Sequence, residues 1–196
     1  MKKTKMIVAT ILVAFLSSSS IHAKSRGGAF EEGTIAISAG YGFGLAGSLW
    51  RTYEANSGYS FSTLGPMHGK FEYGVSDKIG LGASVNYRSY DVLWDIDGYR
   101  EGFQGSALSI LARMNIHFGS SSKLDGYWGF GLGYRSANFK FISNDPNATP
   151  LTIAGLIPFG FETSIGVRYY FTDNIGIYAE AGFGQALAQG GLVVKF

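Results

Sequence analysis

The chain has 196 residues, no cysteine, 16 Lys and Arg against 14 Asp and Glu, and a formal net charge of +2. Without cysteine there is no disulfide, no thiol chemistry and no lipidated amino-terminal cysteine, and a near-neutral balance gives no footprint for a nucleic-acid partner. The 29 glycines and 15% aromatic residues would suggest low complexity if scattered, but they recur with a period of two between turn signals.

At the amino terminus Lys2, Lys3 and Lys5 precede the largely apolar run Met6 to Leu16, four serines and Ile21-His22-Ala23. A basic start, a short apolar stretch and a small terminal residue form a secretory signal peptide over 1–23, cut after Ala23. Eleven residues fall well short of the about 20 that a spanning helix needs, which argues against an anchor. Losing three leader lysines takes the net charge from +2 to −1, so the basicity belongs to the leader.

Residues 24–32 read as a short amino-terminal segment on the periplasmic side. From residue 33 to 196, eight segments alternate between apolar and other residues: 33–44, 65–76, 78–90, 104–118, 124–139, 157–171, 174–187 and 190–196. One face of each is apolar, as in Ile35, Ile37, Ala39, Tyr41 and Phe43, or Ile79, Leu81, Ala83, Val85 and Tyr87. An exported chain with no further long apolar run can span a membrane only as a closed sheet, because lipid leaves unpaired peptide groups unsatisfied. The expected fold is an all-β, eight-stranded, antiparallel up-and-down transmembrane β-barrel with this face in lipid.

Connections alternate in length. Ser76-Asp77-Lys78, Gly119 to Lys123 and Thr172-Asp173-Asn174 are short; 45–64, 91–103 and 140–156 are long; a tight hairpin is expected near 188–190. Short turns on one side and long loops on the other match the periplasmic and extracellular ends of outer-membrane barrels. Ser76-Asp77-Lys78-Ile79-Gly80 echoes Thr172-Asp173-Asn174-Ile175-Gly176, which indicates shared turn chemistry. Tyr73, Phe118, Trp128, Tyr169, Phe171 and Phe196 would form the periplasmic aromatic girdle.

The opposite face points into a lumen that side chains can fill at eight strands. Glycines such as Gly80, Gly82, Gly129, Gly131 and Gly182 leave room there for Lys70, Glu72, Arg88, Arg113, Arg135, Glu162, Arg168, Glu180 and Lys195. Buried ions must pair, meet water or bind anions. The expected arrangement is a salt-bridge network that plugs the lumen, and the sharper alternative is an anion-conducting one.

Other motifs carry less. Gly42-Phe43-Gly44-Leu45-Ala46-Gly47 matches a dinucleotide fingerprint, but no helix or βαβ unit accompanies it. His68 and His117 face inward without metal-site spacing and read as structural. The acids of Asp91 to Glu101 could hold a divalent cation, but Asp97-Gly98 reads better as the tip of a hairpin continuing strands three and four above the membrane. Asn147-Ala148-Thr149 fits a glycosylation sequon that has no meaning in a bacterial envelope. No catalytic, cofactor or metal residues are assigned.

The closing segment, with Leu192, Val194 and Phe196 on one face and Val193 and Lys195 on the other, resembles the terminal signal read by the bacterial barrel-assembly machinery. Leader, eight segments, alternating connections and this terminus together resemble the small eight-stranded outer-membrane barrels of the OmpX type and the OmpA membrane domain. The resemblance implies residence in the bacterial outer membrane, contact with its lipid and the assembly machinery, no cofactor and, in first expectation, a monomer. It carries no catalytic residues, and no peptidoglycan-binding domain is expected after Phe196.

Three functions are compatible with that resemblance. The first is a non-enzymatic barrel displaying loops for adhesion, partner binding or envelope integrity, with Trp50, Tyr53, Tyr59, Trp94 and Tyr99 as exposed loop aromatics. The second is a narrow channel for small solutes. The third is a lipid-modifying enzyme, disfavoured because His68, Ser60 and Ser62 lack base and orienter spacing.

Overall fold

In the computed structural model, which describes residues 27–44, 58–119, 121–149, 151–154 and 158–196, the described residues form nine strands in one antiparallel sheet. They are β1 (Ile35–Phe43), β2 (Tyr59–Ser76), β3 (Ile79–Ile96), β4 (Tyr99–Phe118), β5 (Leu124–Ser143), β6 (Thr152–Ala154), β7 (Phe159–Tyr170), β8 (Ile175–Phe183) and β9 (Ala188–Lys195). β1 pairs with β9, and β5 pairs with β4 and β7, so eight strands close a ring while β6 lies against the upper part of β5. This is the expected up-and-down barrel, and closure removes the edge that lipid would not tolerate. The leader and residues 45–57, including Trp50 and Tyr53, lie outside the described residues.

Strand parity sorts the side chains. Outward positions are apolar and exposed, with Ile110 at 51%, Leu132 at 60% and Ile165 at 61%. On β4 the outward band runs from Leu108 to Phe118. Ten residue steps of about 3.4 Å, tilted by about 45°, give roughly 24 Å, close to the apolar band of a membrane barrel. Tyr73, Phe118, Trp128, Tyr169 and Phe171 ring its lower margin and Tyr41, Tyr87, Tyr134, Phe159 and Phe183 its upper one, all exposed. The Trp128 indole donates to Thr163 Oγ1 at 3.0 Å, so its polar edge is satisfied within the sheet.

The short turns share one device. Ser76 Oγ accepts from the Ile79 amide at 3.1 Å, Ser121 Oγ from Leu124 at 3.0 Å and Thr172 Oγ1 from Ile175 at 2.9 Å. The hydroxyl three residues before each strand thus satisfies its first amide.

The strands reach further than the periodicity indicated. β2 begins at Tyr59 instead of 65, β3 runs to Ile96 instead of 90, β4 starts at Tyr99 instead of 104, and β5 continues to Ser143 instead of 139. Above the membrane the outward face turns polar, with Ser62, Asp91, Gln104 and Lys140, so the apolar signal stops where the ladder does not. Asp97 (φ 51°) and Gly98 (φ 80°) close the β3–β4 hairpin as a two-residue turn of the primed type. Tyr59, Trp94 and Tyr99, read from sequence as loop residues, therefore stand on strands.

The last hairpin also moves. Its turn lies at 184–187, where Gly184 has φ 110° and the Gly182 amide donates to Leu187 O at 2.9 Å. The region near 188–190 is already β9. Gly191 is there for close approach, since a Cβ on it would come within 2.5 Å of Gly40 Cα.

Residues 27–34 are folded into the mouth at the short-turn end, periplasmic in barrels of this kind. The Ala29 amide donates to Ser121 O at 2.7 Å, Gly33 to Gly74 O at 2.8 Å, and Gly74 back to Thr34 O at 2.8 Å. Ala29 and Phe30 are buried. The described part of the 24–32 segment is thus a plug, docked because Ala29 joins a buried cluster with Ala36, Tyr170 and Val193, Phe30 finds a ring to stack on, and their backbone finds partners in the turns.

Candidate functional site

The middle of the lumen is a layer of charge built from β2, β4, β7 and β8. Arg113 reaches Glu162 with Nη1 and Glu180 with Nη2, the latter at 2.9 Å, and Lys70 Nζ meets Glu180 at 2.6 Å. Glu180 is the hub: Tyr127 OH donates to Oε1 at 2.7 Å, and Ser164 Oγ and Gln189 Nε2 donate to Oε2 at 3.0 and 2.6 Å. Arg113 also donates through Nε to Asn115 at 2.9 Å and through Nη2 to Ser164 at 3.0 Å. Opposite-charge pairing of this kind is what makes buried ions tolerable, because each alone would cost several kcal/mol; Glu162 Oε2 alone of the carboxylate oxygens in this layer has no hydrogen-bond partner among the described residues.

A second layer lies below it. His117 holds Glu72 with Nε2 at 2.7 Å and Asp125 with Nδ1 at 2.8 Å; Arg168 pairs with Glu72 and approaches Asp125 at 3.6 Å. Phe30 of the plug stacks on the His117 ring, centroids 3.4 Å apart and planes within 5°. Tyr127 joins the layers: its hydroxyl serves Glu180 while the Arg168 guanidinium lies 4.4 Å from its ring centroid.

Glycine makes room for these groups. A Cβ on Gly131 would lie 2.7 Å from Glu162 Cγ, and one on Gly166 would lie 2.5 Å from Tyr127 Cζ. The period-two glycines are thus the complement of the large lumenal side chains.

Of the nine charged residues expected in the lumen, Lys70, Glu72, Arg113, Glu162, Arg168 and Glu180 are brought together by ion pairs. Lys195 is not in the network. Its Nζ donates to Gly28 O at 2.9 Å and Ala29 O at 3.3 Å above the Tyr170 ring, so it clamps the plug. This corrects its role, because a lysine at the barrel rim reaches backbone carbonyls before any carboxylate. Arg88 and Arg135 are likewise outside the network: they lie near the extracellular end, and no carboxylate among the described residues pairs with either.

Sequence reading missed Asp125 and did not join His117 to the network. Asp125 shares the inward parity of Tyr127, Gly129 and Gly131 and was legible on that ground. His68 contacts the Tyr178 hydroxyl across the lumen. Leu192 is exposed on the outward face with Val194 beside it, and Phe196 exchanges backbone hydrogen bonds with Ile35 at 2.9 and 3.1 Å. Among the described residues no group of three or more His, Asp or Glu side chains is disposed to hold a metal ion.

Above the membrane, the inner face of the extended strands is aromatic. Trp94 packs against Tyr59 (6.0 Å) and Phe103 (5.2 Å), and Phe103 against Phe139 (4.8 Å) and Phe141 (5.5 Å). The outer face of the same strands carries a polar depression of about 290 Å³, with Asp91, Gln104 and Lys140 among its lining.

No family model matches the chain, and no curated protein matches it. Among solved structures it is similar to the N-terminal β-barrel domain of Pseudomonas aeruginosa OprF, at TM-score 0.44 and 17% identity over 85% of this chain and 99% of that one. It is also similar to Ail, the attachment invasion locus protein of Yersinia pestis, at TM-score 0.47 and 13% identity over 84% and 99% of the two chains. A structure of Ail with the heparin analogue sucrose octasulfate matches equally. From its own strand pairing and apolar belt, the chain has the fold of a small outer-membrane β-barrel.

Proposed function

We propose that this protein is a non-enzymatic, non-conducting barrel of the bacterial outer membrane that presents its long-loop end to an extracellular partner. The observation that carries the reading is the double closure of the lumen: Arg113 bound to Glu162 and Glu180 across its middle, and Phe30 stacked on His117 at its periplasmic mouth. A barrel blocked at two levels by its own groups is a scaffold, and what it scaffolds is the extension of β2 to β5 above the lipid. Residues 1–23 act as the leader, and Leu192, Val194 and Phe196 as the contact for the assembly machinery. Adhesion is the form of binding this arrangement serves best, since the extension offers an aromatic face and a polar face on rigid strands.

The test is planar-bilayer conductance of the refolded barrel. The wild type passes no stable current, and Arg113→Ala combined with Phe30→Ala opens a small conductance. A steady wild-type current would establish a channel and remove the scaffold reading. Deleting the strand extension beyond Ser89 and Ser106 while retaining assembly should abolish cell-surface binding.

A further inference from the structure

The lumenal arginines divide into two kinds. Arg113 and Arg168 sit in carboxylate networks, whereas Arg88 and Arg135 face inward near the extracellular end with no anionic partner among the described residues. Both are partly exposed to solvent. The register places them two strands apart: Arg88 pairs with Ala107, which pairs with Ala137, and Arg135 pairs with Ser109, which pairs with Asn86. The β4 residues between the two like charges are Ala107 and Ser109, the latter bonded to Gln185 Oε1 at 3.1 Å, so no anion of β4 separates them and the two cations repel. Arg135 Nε is buried and has no hydrogen-bond partner. A guanidinium has five donors in a fixed fork suited to two-point recognition of an oxyanion, and two such forks facing one space at a water-reachable mouth repel each other unless an anion joins them.

The wall above the pair is aromatic. Tyr90 lies across Gly105, which is paired with Phe139, and Phe139 stacks on Phe103. The next carboxylate on this inner face, Glu101, is about 20 Å further up β4 from Ala107 at strand rise and accepts from Ser143 at 3.3 Å.

We propose that Arg88 and Arg135 form an anion site at the extracellular mouth that binds a phosphate or sulfate ester carried on a ring, the ring resting against Tyr90 and Phe139. The site deepens the partner-binding reading and rests on it: the anion is the chemical handle by which a soluble extracellular ligand is held. A lipid headgroup is not the source, because the arginines face the lumen and the polar outward face of the strands stands between them and the membrane surface.

The experiment is calorimetric titration of the refolded barrel in zwitterionic detergent at low salt with phenyl phosphate, phenyl sulfate, inorganic phosphate and phenol. Both esters bind, phenol does not, and inorganic phosphate binds more weakly. R88Q with R135Q lowers ester affinity at least tenfold, F139A lowers it for the esters but not for inorganic phosphate, and R100Q at the hairpin tip leaves it unchanged. Arginine Nε–H NMR signals of the wild type, followed through the same titration, give a readout that needs no variant: those of Arg88 and Arg135 shift and that of Arg113 does not. Equal affinity in the double variant, or no binding by the wild type, overturns the site. Bilayer conductance of the same preparation separates the two ideas: a closed barrel that binds no ester loses only the anion site, whereas a conducting one loses the scaffold reading.

Discussion

The lumen and the extracellular extension are walls of the same strands, yet they obey opposite rules. Below Tyr87 and Leu108 the outward face is apolar and the inward face is charged; above Ser89 and Ser106 the outward face is polar and the inward face aromatic. The inversion follows from a change of solvent outside the sheet from lipid to water, while the inside must be packed at both heights. In lipid the barrel places its charges in the one compartment from which acyl chains are excluded; in water it places its rings there. The lower lumen is therefore built from charges that pair with one another, whereas Arg88 and Arg135, toward the extracellular end, have no carboxylate partner among the described residues.

The largest effect should come from breaking the satisfied half. Arg113→Ala strands Glu162 and part of Glu180 in the middle of the lumen, which should cost about 3–5 kcal/mol. Arg88→Ala removes a partly exposed cation with no carboxylate partner among the described residues and should change stability by less than about 1 kcal/mol. Urea unfolding of the barrel in lipid vesicles, read by tryptophan fluorescence, checks both, and equal costs would erase the distinction between the two halves.

The outer boundary can be tested next. Ala112→Arg puts a charge near the middle of the apolar band and should destabilise the barrel by about 2–4 kcal/mol, an effect that fades to about 0–1 kcal/mol toward the interface. Gln104→Arg, on the same strand and the same face but beside Asp91 and Lys140, should be close to neutral in the same assay. A comparable loss at both positions would mean that the membrane extends over β4 beyond Ser106.

Strand parity made the fold legible and left the site half-read. Alternation told which face Lys70, Glu72, Arg113 and Glu180 occupy, because a period of two is a local property of a strand. It could not tell that Lys70 meets Glu180 or that Glu72 meets Arg168, partners 110 and 96 residues apart, since that depends on how the closed ring brings opposite walls together. Height was equally invisible, which is why Lys195 and Arg88 were grouped with Arg113 although one clamps backbone at one rim and the other stands at the opposite end. Asp125 lay on a legible parity but next to a turn. The plug had no periodic signal, because Ala29 and Phe30 dock as an irregular segment.

Phe30→Ala addresses that unread element. Truncating a buried ring costs about 3–5 kcal/mol in a well-packed core, but here the loss falls on a segment that can undock while the barrel stays closed. Hydrogen exchange at the Ala29 and Gly33 amides, bonded to Ser121 and Gly74, should accelerate at least a hundredfold while β4 and β5 remain protected. Acceleration spread over the whole barrel would make the plug part of the core instead of a separable closure.

The smallest effect belongs to the far end of the extension. Gly98 has φ 80° in a two-residue turn whose preceding residue, Asp97, is also left-handed, and an alanine there should cost about 1 kcal/mol in backbone strain. The hairpin tip has open space around the missing Cβ, so the cost is conformational and not steric. It should appear as faster amide exchange at Ile96 and Tyr99 with the urea midpoint unchanged, because the hairpin projects above the closed ring and its fraying takes no lumenal ion pair with it. A shifted midpoint would mean that the extension and the lumen melt as one unit, and the two halves would then differ in chemistry without differing in stability.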